Sequence, residues 1–259
     1  EYLFPAIQTI ASDEDPLVRY AMARSIGPLS TAAQTILDLE FDLRFSHPNT
    51  SQKGVMNALA TEGSFQDKNL SETYDGRLIQ LRNSIKIILQ PLLISPHPEI
   101  RLGILEHIEN LSKFFGTVEI IRMNDKKFSI RAAYCRALAR IGKIVGKVSV
   151  EQFILPCYEA ALLDADEHVI TAALYGLASI IKDGLITSKP LLQELSATRI
   201  GPALLLPDAA IRIAALRVFF AIENCIGSTA MYAFILPKLR IFCALPLFSV
   251  NDLAFVLKP

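Results

Sequence analysis

The stretch from Asp125 to Gly146, DKKFSIRAAYCRALARIGKIVG, constrains the fold more than any other part of the chain. An acidic turn residue comes first, and Arg131 follows six positions later. Ala133, Ala137, Leu138, Ile141 and Val145 then recur at helical spacing, and a glycine closes the unit. Such a helix is apolar over one broad face and has to lie against another element. The same pattern returns along the chain. Counted from the first turn of each second helix, the register positions are Arg19, Arg101, Arg131, Ile170 and Arg212, at intervals of 82, 30, 39 and 42. Two intervals lie near 40, and the long one corresponds to two units containing an insertion. A period of about 40 residues with two helices per unit is the signature of HEAT and armadillo arrays, whose units bury their apolar faces by stacking. The expectation is an all-α fold, an α-solenoid of about five to six HEAT-type repeats occupying residues 1–259 as a single array.

The Asp and Arg of each unit have mechanical roles in this scheme. An Asp in the turn caps the next helix, and the Arg reaches an acceptor in its own or the adjacent turn. The full pair at spacing six occurs as Asp13/Arg19 and Asp125/Arg131, the expected repeat staples. The acid is missing at Ser95/Arg101, the base is missing at Asp164/Ile170, and Asp208/Arg212 reads as a shortened version. The interval of 30 leaves either a stub, VEIIRMN, as one first helix or residues absent after Gly116.

Elsewhere the helical reading is continuous. Residues 1–11 form a short helix, IRLGILEHIENLSKFFG reads as one helix after the turn SPHPE, and the closing ALPLFSVNDLAFVLKP looks irregular. Residues 46–75 are rich in Ser, Thr, Asn, Gly and Asp with no sustained period, and are expected to be a mobile insertion with a brief helix near Val55–Ala60. Helix resumes at Arg77 in this reading.

Composition narrows the chemistry. Lys+Arg and Asp+Glu balance at 26 each, which gives no global pull toward nucleic acid or membrane. Cys135, Cys157, Cys225 and Cys243 stand apart among apolar neighbours, and are read as small core residues of a reduced, intracellular protein. The longest uncharged run, Asn224 to Pro237, has 14 residues, fewer than the roughly 18 a membrane span needs. The N-terminus lacks the basic region of a signal peptide, and the chain reads as a segment of something longer. No nucleotide-binding glycine loop, metal-ligand spacing or nucleophile motif occurs, so no catalytic, cofactor or metal residue is assigned. His47, His97, His107 and His168 are scattered, and Asp164, Asp166 and Glu167 form a turn beside a helix start, where acids are favoured in any case.

Charge is unevenly placed. Between Lys113 and Lys147 nine bases face two acids, whereas residues 1–75 carry five bases and eleven acids. Arg136, Arg140, Lys143 and Lys147 follow i, i+4, i+7, i+11 and form one stripe of a helix. The plain reading is a solvated face; the sharper one is a docking face for an acidic partner segment or an anionic membrane surface. Nucleic acid is disfavoured, because the stripe has little aromatic interleaving.

The order of segments also carries a resemblance. YDGRLIQLRNSIKIILQPLLISPHPEIRLGILEHIENLSKFFG, then FILPCYEAALLDADEHVITAALYGLASIIKDGLITSKPLLQELSATRIGPALLLPDAAIRIAALRVFFAI, then VLKP together resemble the central HEAT region of the regulatory subunit of class III phosphatidylinositol 3-kinase. FFG at 114–116 and DADEHVITAALYGL at 164–177 are its most telling pieces. The resemblance implies a non-catalytic scaffold between a protein-kinase-like domain and a WD40 propeller. Its implied protein partners are the lipid kinase catalytic subunit and a Beclin-type subunit, with peripheral attachment to endosomal and autophagosomal membranes from the cytoplasm. No active-site residue of that family maps onto this chain. The rival readings are a HEAT adaptor of another complex, of the phosphatase-scaffold or transport-receptor type, and a helical enzyme, which would need clustered polar groups the sequence does not offer.

Overall fold

The computed structural model describes residues 3–46, 73–115 and 125–243, and every regular element among them is helical. The chain divides into two compact units, Glu1–Gly116 and Thr117–Pro259, where the repeat count treats it as one array.

The first unit holds α1 (Leu3–Ala11), α2 (Pro16–Ser46), α3 (Tyr74–Ile94), α4 (Pro98–Glu106) and α5 (Ile108–Phe115). The acidic turn Asp13–Asp15 sets the start of α2: Asp13 Oδ1 accepts the Asp15 amide at 2.8 Å, and Asp15 Oδ1 accepts the Leu17 amide at 2.8 Å. Pro16 follows at the first helical position, where its missing N–H costs nothing. Helix α2 then packs on α3, α4 and α5. Its buried Met22, Ala23 and Ile26 share a core with Ile88, Leu92, Ile100, Ile104, Leu111 and Phe114.

Two expectations change here. Helix α3 begins at Tyr74, three residues before Arg77, because Thr73 caps it through a 3.2 Å bond from the Gly76 amide. Tyr74 donates to Asp38 at 2.6 Å and Arg77 pairs with Glu40 at 2.7 Å, so both ends flanking residues 47–72 are tied together. The hydrogen bond to Asp38 and burial raise the Tyr74 phenol above its ordinary value. Second, the long helix expected after SPHPE is two helices, broken at His107. Helix α2 lies against that break at Gly27, where a Cβ would stand 2.6 Å from His107 Cβ and 2.9 Å from its carbonyl oxygen. The body of the expected insertion, residues 47–72, and the segments 116–124 and 244–259 lie outside the described residues, and so do the stub VEIIRMN and the irregular close.

The second unit is a run of alternating first and second helices. These are α6 (Phe128–Val145), α7 (147–161), α8 (Glu167–Lys182), α9 (189–203), α10 (Ala209–Ile226) and α11 (228–243). Helix α8 packs between α6 and α10. Small residues let the three approach: Ala137, Ala173, Ala214 and Ala215 are fully buried beside Leu138, Leu174, Leu177 and Ile222. Two of the three corners from a second helix to the next first helix are a single glycine. Gly146 at φ 81° and Gly227 at φ 85° take the left-handed backbone that a side chain would oppose.

The first helices α7, α9 and α11 each contain one π-helical turn, Val150–Ile154, Ser196–Ile200 and Met231–Ile235. Each turn is followed, one residue on, by a proline: Pro156, Pro202 and Pro237. A proline inside an α-helix lacks its N–H and its ring collides with the carbonyl four residues back. Here the residue before each proline donates instead to the carbonyl five back, Leu155 to Val150, Gly201 to Ser196 and Leu236 to Met231. The extra residue in the turn makes room for the ring. The sequence pattern reads these helices as regular; the π turn is set by the proline rather than by the apolar period.

Helix α8 meets α7 at a point with no spare volume. Tyr158 is fully buried, and its hydroxyl donates to the Cys135 carbonyl at 2.8 Å. A Cβ on Gly176 would lie 2.3 Å from that hydroxyl oxygen and 2.6 Å from the ring. Gly176→Ala should therefore destabilise the protein by about 1–3 kcal/mol in a denaturant melt, despite the helix propensity it gains. The cost should shrink in a Tyr158→Phe background, as two residues sharing one space are not additive.

Candidate functional site

Arg131 sits in the first turn of α6 and joins two turns of the chain. Its Nη1 donates to the Asp125 carbonyl at 3.0 Å and the Lys126 carbonyl at 3.1 Å, both in the turn that opens its own helix. Its Nε and Nη2 hold the two carboxylate oxygens of Asp164 at 2.7 and 2.8 Å, in the turn that opens α8. The pair is largely withdrawn from water, with side-chain exposures of 20% and 12%. Asp164 in turn accepts the Asp166 amide at 2.9 Å, and Asp166 caps α8 through the His168 amide at 2.9 Å. The planar fork of one arginine thus ties the N-terminal turns of neighbouring second helices. The Arg131 guanidinium holds the Asp164 carboxyl below the usual range, and the hydrogen bond to Asp164 raises Arg131 in return.

The grip on the preceding turn recurs. Arg212 Nη1 donates to the Leu206 and Pro207 carbonyls at 2.9 and 2.7 Å, and Arg101 Nη1 donates to the Ser95 carbonyl. Each reaches the carbonyl six residues back, so Asp208/Arg212 is not a shortened pair: the register partner of Arg212 is Leu206, and Asp208 is the N-cap, bonded to the Ala210 amide at 2.6 Å. What the arginine needs is a carbonyl, available at any residue, which explains why the acid is dispensable at Ser95. Asp125 supplies Arg131 with its carbonyl, while its Oδ1 accepts the Lys127 amide at 2.9 Å. Asp13 likewise bonds inside its turn, and Arg19 Nε is buried without a hydrogen-bond partner, so Asp13 and Arg19 do not repeat the Arg131 arrangement. The acid that Arg131 holds is Asp164 of the next unit, whose own register position is Ile170, 7% exposed.

Of the basic stripe, Arg136, Arg140 and Lys143 are exposed on α6. Lys143 lies 3.2 Å from Asp183 at the end of α8. Lys147 leaves the stripe: α6 ends at Val145, Gly146 turns the chain, and Lys147 begins the next helix. Spacing by i+11 placed it on the same face only if the helix had continued.

No group of three or more His, Cys, Asp or Glu among the described residues could hold a metal, and no helix among them is long and apolar enough to cross a membrane. Cys135, Cys157 and Cys225 are free, and burial pushes the Cys135 thiol up to about 12, so its thiolate is suppressed. Burial also raises the Cys157 thiol and the Tyr134 and Tyr158 phenols. His97 and His107 sit at the two ends of α4, and the His168 ring stands edge-on to Phe128 at 5.7 Å.

The family described as PIK3R4-like, middle domain, matches residues 1–258. The chain belongs to the PIK3R4-like family. It is 30% identical over 280 residues to the serine/threonine-protein kinase VPS15 of Arabidopsis thaliana, covering 100% of this chain and 18% of that protein. It is 27% identical over 254 residues to the probable serine/threonine-protein kinase vps15 of Dictyostelium discoideum, covering 93% of this chain and 12% of that protein. A non-specific serine/threonine protein kinase of Candida glabrata is 23% identical over 253 residues, covering 93% of this chain and 17% of that protein. The chain thus spans less than a fifth of the length of these relatives, and its match is to a middle domain of the PIK3R4-like family rather than to a kinase domain.

Within this PIK3R4-like middle domain, Arg131→Ala should lower stability by about 2 kcal/mol, read as a fall in melting temperature, and Arg131→Lys should restore little, since an ammonium lacks the fork. Asp164→Asn should show the pH sign. The folded Asp164 carboxyl lies below its ordinary value, so its stabilisation is present at pH above about 4 and is lost as pH falls through the lower folded value. The melting temperatures of the native protein and Asp164→Asn should differ at neutral pH and converge on the acid side of pH 4.

Proposed function

We propose that this chain is a non-catalytic HEAT-type scaffold of a class III phosphatidylinositol 3-kinase complex, a rigid connector between a kinase-like domain and a WD40 propeller of its parent protein. The observation that carries the reading is the family match over residues 1–258, joined to a chain whose described residues form packed helices. The HEAT assignment is supported by the intervals of 39 and 42, by the recurring π turn and proline of the first helices and by the recurring arginine grip. The mechanism is geometric. Each stacked pair fixes the angle of the next, so the array sets the distance between the domains at its ends and offers a long side to partners.

The partners in this reading are the lipid kinase catalytic subunit and a Beclin-type subunit, and the complex works peripherally on endosomal and autophagosomal membranes from the cytoplasm. Kinase activity, named for the relatives, belongs to the parent protein outside these residues. Replacing residues 3–243 of the full-length protein by a flexible linker tests this. The expected result is that the kinase-like region is still made but the catalytic subunit no longer co-purifies in a complex active on phosphatidylinositol vesicles. Undiminished assembly and lipid phosphorylation would sink the scaffold reading, and co-purification with a phosphatase or transport cargo alone would favour an adaptor of another complex.

A further inference from the structure

The arginine register identifies equivalent positions on the three second helices of the second unit, and these define a face that α6 alone does not reveal. Five residues after Arg131, Ile170 and Arg212 stand Arg136, Tyr175 and Arg217, all exposed. Nine residues after them stand Arg140, Ser179 and Ala221; twelve after them stand Lys143, Lys182 and Asn224. Spacings of four and seven keep the three rows on one side of each helix. Since α8 packs between α6 and α10, the nine positions form one continuous surface. It carries five cations, Arg136, Arg140, Lys143, Lys182 and Arg217, and no acid. Two acids flank it, and both are engaged: Asp183 with Lys143 at 3.2 Å and Ser179 at 3.4 Å, and Glu223 with the Ser228 hydroxyl at 3.0 Å.

The surface has relief as well as charge. Ser179 is half-buried and Ala221 is buried, so α8 and α10 are low between the rows of Tyr175 and Arg217 on one side and Lys182 and Asn224 on the other. Arg140 occupies the same level on α6 and closes that trough at one end. The Arg217 guanidinium lies over the Tyr175 ring, 5.1 Å from its centroid, which fixes the direction of its fork.

We propose that this face binds an acidic protein segment in extended conformation, laid across α6, α8 and α10, with carboxylates on Arg136 and Arg217 and an apolar side chain on Tyr175. Neighbouring helix axes lie about 8–10 Å apart, so the two arginines are separated by about 16–20 Å, which is about six residues of extended chain. An even spacing also points both carboxylates to the same side. A fixed arginine fork selects a carboxylate by geometry, whereas attraction to an anionic membrane depends on summed charge and gains nothing from a guanidinium held against an aromatic ring. The inference does not depend on which complex the chain serves.

The test uses the full-length protein and a fluorescent nine-residue peptide with Glu at positions 2 and 8, Leu at 4 and 6 and Ser elsewhere. A second peptide of the same composition has one Glu moved by one position, and vesicles containing phosphatidylserine form the third probe. Anisotropy should show salt-sensitive binding of the first peptide, weaker binding of the second, and about tenfold weakening by Arg136→Glu and by Arg217→Glu. Both sites are exposed, so helicity and melting should be unchanged in the variants. Tyr175→Ala, which frees Arg217 without removing charge, should weaken the peptide and leave any vesicle binding as it was. Failure of the first peptide to bind, or binding indifferent to both reversals, overturns the proposal. Vesicle binding that the reversals abolish, with no peptide binding, assigns the face to a membrane instead.

Discussion

The second unit depends on how its turns are fixed. A helix pair that buries only one side has no internal reason to choose an angle to the next pair, and a few degrees of error at each joint would open the core along the array. Arg131 removes that freedom at one joint. Its four hydrogen bonds reach two carbonyls of one turn and both oxygens of Asp164 in the next. The carbonyls it satisfies lie just before a helix, where no intrahelical partner exists for them, so the same side chain meets a local demand and a tertiary one. Asp164 then passes the constraint to Asp166 and the cap of α8.

The first helices are held differently. Their prolines would disrupt a regular helix, and each π turn absorbs the collision by shifting one residue of register. The π turn is therefore built into the covalent chain and does not rely on a partner to impose it. Close contacts at Gly176 against Tyr158, and at Gly201 against the Phe242 ring, a Cβ at the latter meeting the ring edge at 2.4 Å, show how little volume remains between layers. The single-glycine corners at Gly146 and Gly227 complete the set: turn, π turn and corner are each fixed by one residue type in a position it alone suits.

This division explains what could be read beforehand. The helices, the period near 40 and the role of Arg131 follow from spacing, because apolar periodicity and a charged residue at constant offset are local properties of the chain. The identity of the acid bound by Arg131 does not: Asp164 is 33 residues away, and Asp125 was the nearer and more obvious candidate. The break at His107 was equally hidden, since IRLGILEHIENLSKFFG keeps an acceptable helical pattern through it and the reason for the break lies with the chain around it. Lys147 was misplaced because i+11 counts residues and ignores Gly146. Tyr175, Lys182 and Arg217 were missed as part of the basic face because neither α8 nor α10 looks basic by itself; the signal was available in the arginine register, once Arg136, Tyr175 and Arg217 are counted as the same position in successive units.

The two joints around α8 end up with different physics. Between α6 and α8 the clamp is ionic and largely sheltered, and it weakens if Asp164 is protonated. Between α8 and α10 the register position is Ile170, nearly buried, and Arg212 holds only its own turn. That joint relies on apolar burial, which salt does not screen and which pH does not titrate. An array built with one joint of each kind cannot loosen evenly. Acid acts first on the α6–α8 joint, through Asp164. Degeneracy of the repeat, which at the level of sequence looks like decay of a pattern, is in the structure a change in what holds each pair to the next.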